Sequence, residues 1–487
     1  MDKKITSNIL RKENTIKEAM ERMNQTGLRV VFITDGAKKL LGLVTDGDIR
    51  RGLLSGHNLE TRVKEIMNSN PVYAHAGAPT AELLDTMVKK NILVIPVVDS
   101  QGILTDIVLL SELKTVPLSS PDISDREVEL LNQVLSTPTL SIGPKVEEFE
   151  RKIADYIGVK FAVAVNSGTS GLHLCVRSLG IKDGDEVITT PFSFIASANC
   201  MLFERARPVF VDIDPDTLCI DPEKIEEKIT KKTKAILPVH VFGHPCAMEK
   251  IITIAQNHDL KVIEDACEAI GAEYENRKVG TFGDCGVLAF YPNKQITTAE
   301  GGMILTDNAK VAELCHSMRN QGRSDKGAWL SHVRLGYNYR MSELSAALGI
   351  GQVERIDDIL RKRQQVADFY NARLKQIKGI RIPYVAPNVA ISWFVYVIML
   401  DPGEFSRTDR DFVMEELKMN GIACNNYFPP IHLEPFYIDL FDYKAGDFPI
   451  TEKISQTTIA LPFYNNLSED QIDQICATLQ KILAKIK

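Results

Sequence analysis

The sequence predicts an α/β protein: a small repeated α+β region, then a large domain around a mostly parallel sheet, then a smaller α+β tail. Three observations predict it. Two similar strand–turn–strand segments lie in the first quarter of the chain. A Pro- and Ser-rich stretch, "KTVPLSSPDISDREV" from Lys114, follows and reads as a linker. Beyond it, short β-rich runs alternate with helical segments, the pattern of strands joined by crossover helices.

The repeat comes first. "RVVFITDGAKKLLGLVTDGDIRRGLL" begins at Arg29 and "ILVIPVVDSQGILTDIVLLSEL" at Ile92. Each holds an apolar strand, an Asp-containing turn and a second strand ending in Thr-Asp. Thr45-Asp46 and Thr105-Asp106 lie 60 residues apart (105 − 45). A helical pattern precedes each copy, with Ile16, Ala19, Met20 and Met23 expected on one face, and Leu83, Leu84, Met87 and Val88 on the other's. A repeated unit with a shared core is the economical reading. The tandem resembles a pair of cystathionine-β-synthase-type (CBS) domains over roughly residues 1–115. Such pairs commonly bind adenine nucleotides, with a Thr or Ser followed three residues later by an Asp at the ribose. Thr45 and Asp48 match, whereas Val108 stands where the second Asp would be. The resemblance therefore implies at most one such nucleotide site; the alternative is a pair that only helps the chain dimerise or folds as an inert appendage.

At 487 residues the chain exceeds one ordinary core, so two or three domains are expected. The net charge of −7 offers no pull toward nucleic acid or an anionic membrane, and neither is expected as a partner. No apolar run approaches the roughly 18 residues of a spanning helix. The opening "MDKKITSNILRKENT" lacks the apolar stretch of a secretory signal. The nine cysteines, from Cys175 to Cys476, include no CxxC pair. That argues against a zinc ribbon or a disulfide framework. A cytoplasmic protein without a metal site is the expectation.

In the larger part, "FAVAV", "DEVITT", "PVFVDI", "AILPVHVF", "KVIED", "GVLAFY" and "GMILT" are the expected strands. From about residue 376 the pattern loosens into "IRIPYV", "SWFVYVIML" and a last helix, "EDQIDQICATLQKIL". The expected divisions are 1–115, 116–375 and 376–487.

Four local features stand at the ends of these strands. "VNSGTSGLHL" turns from a strand into a helix, whose first N–H groups attract an anion, a phosphate above all; alone it reads sooner as a structural turn. Asp265 closes "KVIED", and ligands bind beyond the carboxyl ends of such strands. A buried carboxylate there needs a cation, although a helix cap is the other reading. Phe194 follows a strand and offers a flat face, or core packing. Lys294 stands alone in "AFYPNKQITTAEGGM", 29 residues after Asp265 (294 − 265). Together, a phosphate cradle, a carboxylate for a pyridinium, an aromatic plate and a lysine describe pyridoxal phosphate, held by the lysine as an imine.

From about Val116 onward the chain resembles the DegT-type aminotransferases, fold-type I enzymes that use pyridoxal phosphate, most of them on keto sugars attached to nucleotides. "GPKVEEFERKIADYIGVKFAVAVNSGTSGLHL", "IEDACEAIGAEY", "VGTFGDCGVLAFYPNKQITTAEGGMILT", "LGYNYRMSELSAALG" and "YFPPIHLEPFY" carry the likeness. It implies a mostly parallel large domain and a small α+β C-terminal domain. It makes Lys294 the imine-forming lysine and proton shuttle, and Asp265 the partner of the ring nitrogen. Gly168, Thr169 and Ser170 would hold the phosphate, and Phe194 would stack. Asn338 would reach the phosphate of a neighbouring subunit, requiring a homodimer or higher homo-oligomer. Glu268 stands where the family often has Gln or His. Ala289 departs from a frequent Ser, removing one phosphate contact. The related dehydratases replace the lysine with His, so Lys294 favours transamination.

The implied reaction takes an amino group from L-glutamate to a keto sugar nucleotide, for surface polysaccharide or amino sugars. Arg319, Arg323 and His432 are candidate contacts to the diphosphate, although a structural or solvated role is the favoured reading of each. Tyr427 and Trp393 read as core, and His240 as packing beside the cofactor pocket. Two alternatives remain at this stage. One is an aminotransferase for a cyclitol or other non-nucleotide ketone; the other is a nucleotide-sensing regulator with a degenerate catalytic half.

Overall fold

The computed structural model describes residues 8–110, 113, 115–324 and 331–486. The chain forms two compact units, one of Met1–Val116 with Glu415–Ile422, the other of Pro117–Met414 with Ala423–Lys487.

In the first unit each repeat builds a three-stranded sheet. Ile9–Leu10 runs parallel to Val30–Thr34, which pairs antiparallel with Leu40–Thr45; Ala74–His75, Val94–Val98 and Leu104–Leu109 repeat the arrangement. The ladders correct the repeat length. Val30 faces Thr45 and Val94 faces Leu109, so the copies are offset by 64 residues (94 − 30) rather than 60. The counterpart of Thr45 is therefore Leu109, and that of Asp48 is Glu112, outside the described residues, rather than Val108. Thr105 lies inside a strand and donates its hydroxyl to the Val97 carbonyl at 3.2 Å. Reciprocal bonds follow the same 64-residue shift: Leu40 N–H donates to the Gly102 carbonyl at 3.0 Å, and Leu104 N–H to the Lys38 carbonyl at 3.1 Å.

The helix faces are narrower than the sequence suggests. Ile16, Ala19 and Met23 are buried, but Met20 is 44% exposed. Leu83 and Met87 are buried, Leu84 is half-buried and Val88 is 63% exposed. A small sheet covers only the centre of an apolar stripe, so residues at its edge meet solvent.

The second unit is built on seven strands: β1 (Phe161–Val165), β2 (Glu186–Thr189), β3 (Arg207–Phe210), β4 (Thr233–Ile236), β5 (Lys261–Asp265), β6 (Cys285–Ala289) and β7 (Gly302–Thr306). Their order across the sheet is β1-β7-β6-β5-β4-β2-β3. β3, β2, β4, β5 and β6 run parallel, and β7 is antiparallel to both of its neighbours. Six carboxyl ends thus share one edge. The strands are near-continuous Val, Ile, Leu and Ala because helices cover both faces. A smaller antiparallel sheet of Ile380–Arg381, Tyr396–Leu400 and Thr458–Leu461, with the helix Glu469–Ile486, makes the α+β tail. Among the described residues no helix is long and apolar enough to cross a membrane.

Candidate active site

The carboxyl ends of the central strands open on a cavity of about 520 Å³. β5 ends in Asp265, β6 ends in Ala289, and β1 leads through Asn166 and Ser167 into the helix Gly168–Ser178. All but Asn166 line the cavity or begin at its wall.

Lys294 lies in a turn after β6, where its N–H donates to the Tyr291 carbonyl at 2.9 Å. Its side chain is 13% exposed. The amine stands 3.4 Å from Glu268 Oε1 and 3.9 Å above the centre of the Phe394 ring. Glu268 is 6% exposed, and its Oε2 accepts from the Phe242 N–H at 3.0 Å. Burial pushes the Glu268 carboxyl up from 4.5, and Lys294 opposes the shift.

Asp265 is 4% exposed. Its Oδ2 accepts the Ser197 hydroxyl at 2.6 Å, and its Oδ1 the Cys267 N–H at 3.1 Å. Among the described residues no cation pairs with it. A buried carboxylate with neutral donors alone is prepared for a cation from outside the chain.

The helix Gly168–Ser178 is capped by Ser167, whose Oγ accepts the Ser170 N–H at 3.1 Å and whose carbonyl accepts the Gly171 N–H at 3.1 Å. That leaves the amides of Gly168 and Thr169 at the open end, facing the cavity. Ser170 does not line the cavity: its hydroxyl donates to Asn166 Oδ1 at 2.6 Å. The expected hydroxyl of Ser170 is thus turned inward, and Ser167 stands at the wall instead. Phe194 lines the mouth and is 61% exposed, an apolar ring without core neighbours to explain it. Ala289 also lines the wall.

Other expectations fall elsewhere. Asn338 bridges Asn320 and lies outside the cavity of its own chain. Arg319 pairs with Glu150 and donates to the Ala164 carbonyl, which consumes it structurally. His432 is fully buried against Glu452 at 3.1 Å, so it is a core residue rather than a surface contact. Arg323 has a buried Nε without an acceptor among the described residues. His240 is buried, joined to Glu264 at 3.2 Å, and absent from the wall. Trp393 is core at 3% exposure, but Tyr427, expected in the core, is half-buried and lines the cavity. The sequence reading missed Phe394, Ser197 and Tyr291. Only Ser197, inside the aromatic-rich "TTPFSFIASAN", carried a local signal.

In the first unit, Thr45 and Asp48 line a cavity of about 1120 Å³ with Arg29, Arg50 and Arg51. They also form a capping box for the helix Asp46–Leu54: Asp48 Oδ2 accepts the Thr45 N–H at 2.8 Å, and the Thr45 hydroxyl accepts the Asp48 N–H at 3.2 Å. Asp48 Oδ1 meets Arg51 at 2.6 Å.

Comparison with known proteins agrees with this geometry. The model of the DegT/DnrJ/EryC1/StrS aminotransferase family matches residues 121–480, and that of the CBS domain matches 1–55 and 63–118. GDP-perosamine synthase of Caulobacter vibrioides is 39% identical over 378 residues, which are 77% of this chain and 100% of that one. The spore coat polysaccharide biosynthesis protein SpsC of Bacillus subtilis is 37% identical over 377 residues, 76% of this chain and 97% of its own. Among solved structures, Helicobacter pylori PseC, an aminotransferase involved in the biosynthesis of pseudoaminic acid, superposes with a TM-score of 0.73 at 28% identity, covering 76% of this chain and 100% of that one. The family is pyridoxal-phosphate-dependent. A lysine-bearing cavity at the strand ends, in a chain whose relatives it spans almost end to end, has one explanation: the chain belongs to the DegT/DnrJ/EryC1/StrS aminotransferase family and is an aminotransferase preceded by a pair of CBS domains.

Proposed function

We propose that the enzyme moves an amino group from L-glutamate to the ketone of a nucleotide-linked sugar, with pyridoxal phosphate in the cavity around Lys294. One observation carries the reading: a largely buried amine shares one cavity with a buried carboxylate that no cation among the described residues pairs with. The residues fit the cofactor. Asp265 offers its carboxylate to the ring nitrogen. The amides of Gly168 and Thr169 and the Thr169 hydroxyl offer a seat for the phosphate. Phe194 offers a stacking face. Ser170 contributes by supporting the cap.

When bound, the cofactor supplies an aldehyde that takes up amines and a ring that draws electrons from the substrate's α-carbon. Lys294 acts as general base on the α-proton of glutamate and as general acid in the return direction. Glu268 accepts a hydrogen bond from the amine and orients it. The buried walls limit water at the reacting atoms.

The sugar substrate is supported by the relatives' names, which speak of perosamine, spore coat polysaccharide and pseudoaminic acid. Asn338, outside its own cavity, supports a homodimer in which the neighbour supplies it. The large and small catalytic domains are 116–375 and 376–487 in this reading. The CBS pair over 1–115 would regulate the enzyme through one adenine nucleotide at Thr45 and Asp48.

The test is an absorbance spectrum after adding pyridoxal phosphate, repeated with L-glutamate. A visible band that gives way to a near-ultraviolet band, and that Lys294→Ala lacks, is expected. A band indifferent to glutamate would reject the donor; a band that survives Lys294→Ala would reject the lysine.

A further inference from the structure

Arg363, on the helix Ile356–Leu374, is 3% exposed, and its hydrogen bonds among the described residues all go to backbone carbonyls rather than to a carboxylate. Burial draws its guanidinium down to about 10, which leaves it charged at neutral pH. A buried cation with no carboxylate in contact is costly; Asp122 attracts this one only from a distance, and the Phe463 ring centre lies 5.4 Å from its guanidinium carbon. Its bonds show what it does. Nη2 donates to the carbonyl of Lys294 at 3.0 Å. Nη1 donates to the carbonyls of Trp393 at 3.3 Å and Phe394 at 3.2 Å. Nε has no acceptor among the described residues.

The two segments it joins are those that meet at the amine. Lys294 sits on a loop after β6, and Phe394 brings the ring over which its Nζ lies at 3.9 Å. The next residue, Gln295, is pinned separately: its amide donates to the Glu268 carbonyl at 2.7 Å and to the Ser392 hydroxyl at 2.9 Å. Gln295 therefore ties the loop to the turn bearing Glu268 and to Ser392, and Arg363 ties the Lys294 carbonyl a second time to the segment bearing Phe394. The fork of the guanidinium reaches both carbonyls at once, which a lysine ammonium on a single stem does less well.

We propose that Arg363 is a positioning residue for the reaction: by holding the carbonyls of Lys294 and Phe394 together it fixes the Lys294 amine over the Phe394 ring and within reach of Glu268. The proposal rests on Lys294 being the lysine that carries the cofactor. Displacing a reacting group by about 1 Å can cost on the order of a hundred-fold in rate, while substrate contacts elsewhere are untouched.

The experiment compares Arg363→Met, Arg363→Lys and Lys294→Ala, each loaded with pyridoxal phosphate. In Arg363→Met we expect kcat to fall by about ten-fold or more while KM for L-glutamate changes by less than about two-fold. The visible circular dichroism of the bound cofactor should change, because it reports the cofactor's orientation. Arg363→Lys should recover part of both. Parent values of kcat and dichroism in a folded Arg363→Met protein would overturn the proposal. So would kcat, KM and melting temperature failing in step, which is the signature of a core residue. If Arg363→Met does not fold, Arg363→Lys decides: parent kcat and dichroism there overturn the proposal. The failure of the underlying reading looks different, because then Lys294→Ala keeps the visible band.

Discussion

Adding one methyl group at Gly302 should open the phosphate seat. Gly302 begins β7 and is paired on both sides, to Ala289 of β6 and to Val165 of β1. A Cβ there would lie 2.5 Å from the Ser167 carbonyl oxygen, 2.6 Å from its carbon and 2.8 Å from the Gly168 nitrogen. Ordinary contact begins near 3.4 Å, so something has to yield by about 0.9 Å (3.4 − 2.5). The strand is held by two ladders, and the obstructing atoms are backbone, so the turn moves. Ser167 caps the helix, and its shift carries the Gly168 and Thr169 amides with it. Overpacking of this kind costs about 1–3 kcal/mol, or a melting temperature lower by about 2–4 °C per kcal/mol. Two misaligned amides should weaken pyridoxal phosphate by about 1–2 kcal/mol, roughly ten-fold in Kd. The assay is a melting curve of cofactor-free Gly302→Ala and a titration with pyridoxal phosphate followed by absorbance. Gly36→Ala, where the added carbon meets nothing within 4 Å, serves as the neutral control. A Gly302→Ala protein with lowered stability but parent affinity for the cofactor would refute the reasoning, because the clash would then have been absorbed away from the turn.

Two further outcomes are expected. Burial raises the Glu268 carboxyl above 4.5, so the native state holds this proton more tightly than the unfolded chain. The resulting penalty is absent below that pH and grows as pH rises through the native titration, so cofactor-free Glu268→Gln should gain stability over the parent as pH rises; a difference flat with pH rejects this. At Asp48, an Ala substitution removes half a capping box and costs about 0.5–2 kcal/mol, which confounds any ligand effect. Asp48→Asn keeps an acceptor for the cap, and in it any effect of AMP or ATP on steady-state rate should vanish; a nucleotide effect that persists excludes Thr45 and Asp48 as the seat.

The residues that were legible in the sequence are those whose chemistry is fixed by a strand end. Asp265 closes β5, Gly168 opens a helix straight after β1, and Lys294 follows β6 within a single turn. A local motif predicts such positions because the parallel sheet brings its carboxyl ends together whatever the rest of the chain does. The seven strands were legible for the same reason. Phe394 and Tyr427 were not. Phe394 sits in "SWFVYVIML", which reads as a buried strand; the strand itself begins at Tyr396, and Phe394, two residues before it and 3% exposed, turns one face of its ring to the Lys294 amine. Burial and contact with a reacting group leave the same mark on an apolar pattern. Arg363 is the converse. It lies on a helix whose charged residues look like a solvated face, and only the fold puts it inside.

The CBS pair shows how a local match can also mislead. Two Thr-Asp dipeptides suggested a 60-residue repeat, but a ladder does not read dipeptides. Its register is set by which residues face each other across the hairpin, and that aligns Thr45 with Leu109. The correction matters for function. Leu109 has no hydroxyl for a ribose, so among the described residues the expected polar pair stands at Thr45 and Asp48. Those two residues already cap the helix, each side chain accepting the other's backbone N–H, at 2.8 and 3.2 Å. The cap explains Thr45, Asp48 and, through its 2.6 Å contact with Asp48, Arg51; it does not explain Arg29 and Arg50, which line the same cavity. In the proposed regulation these two guanidinium groups would offer positive charge to an anion beside the cap, which a helix terminus alone does not need.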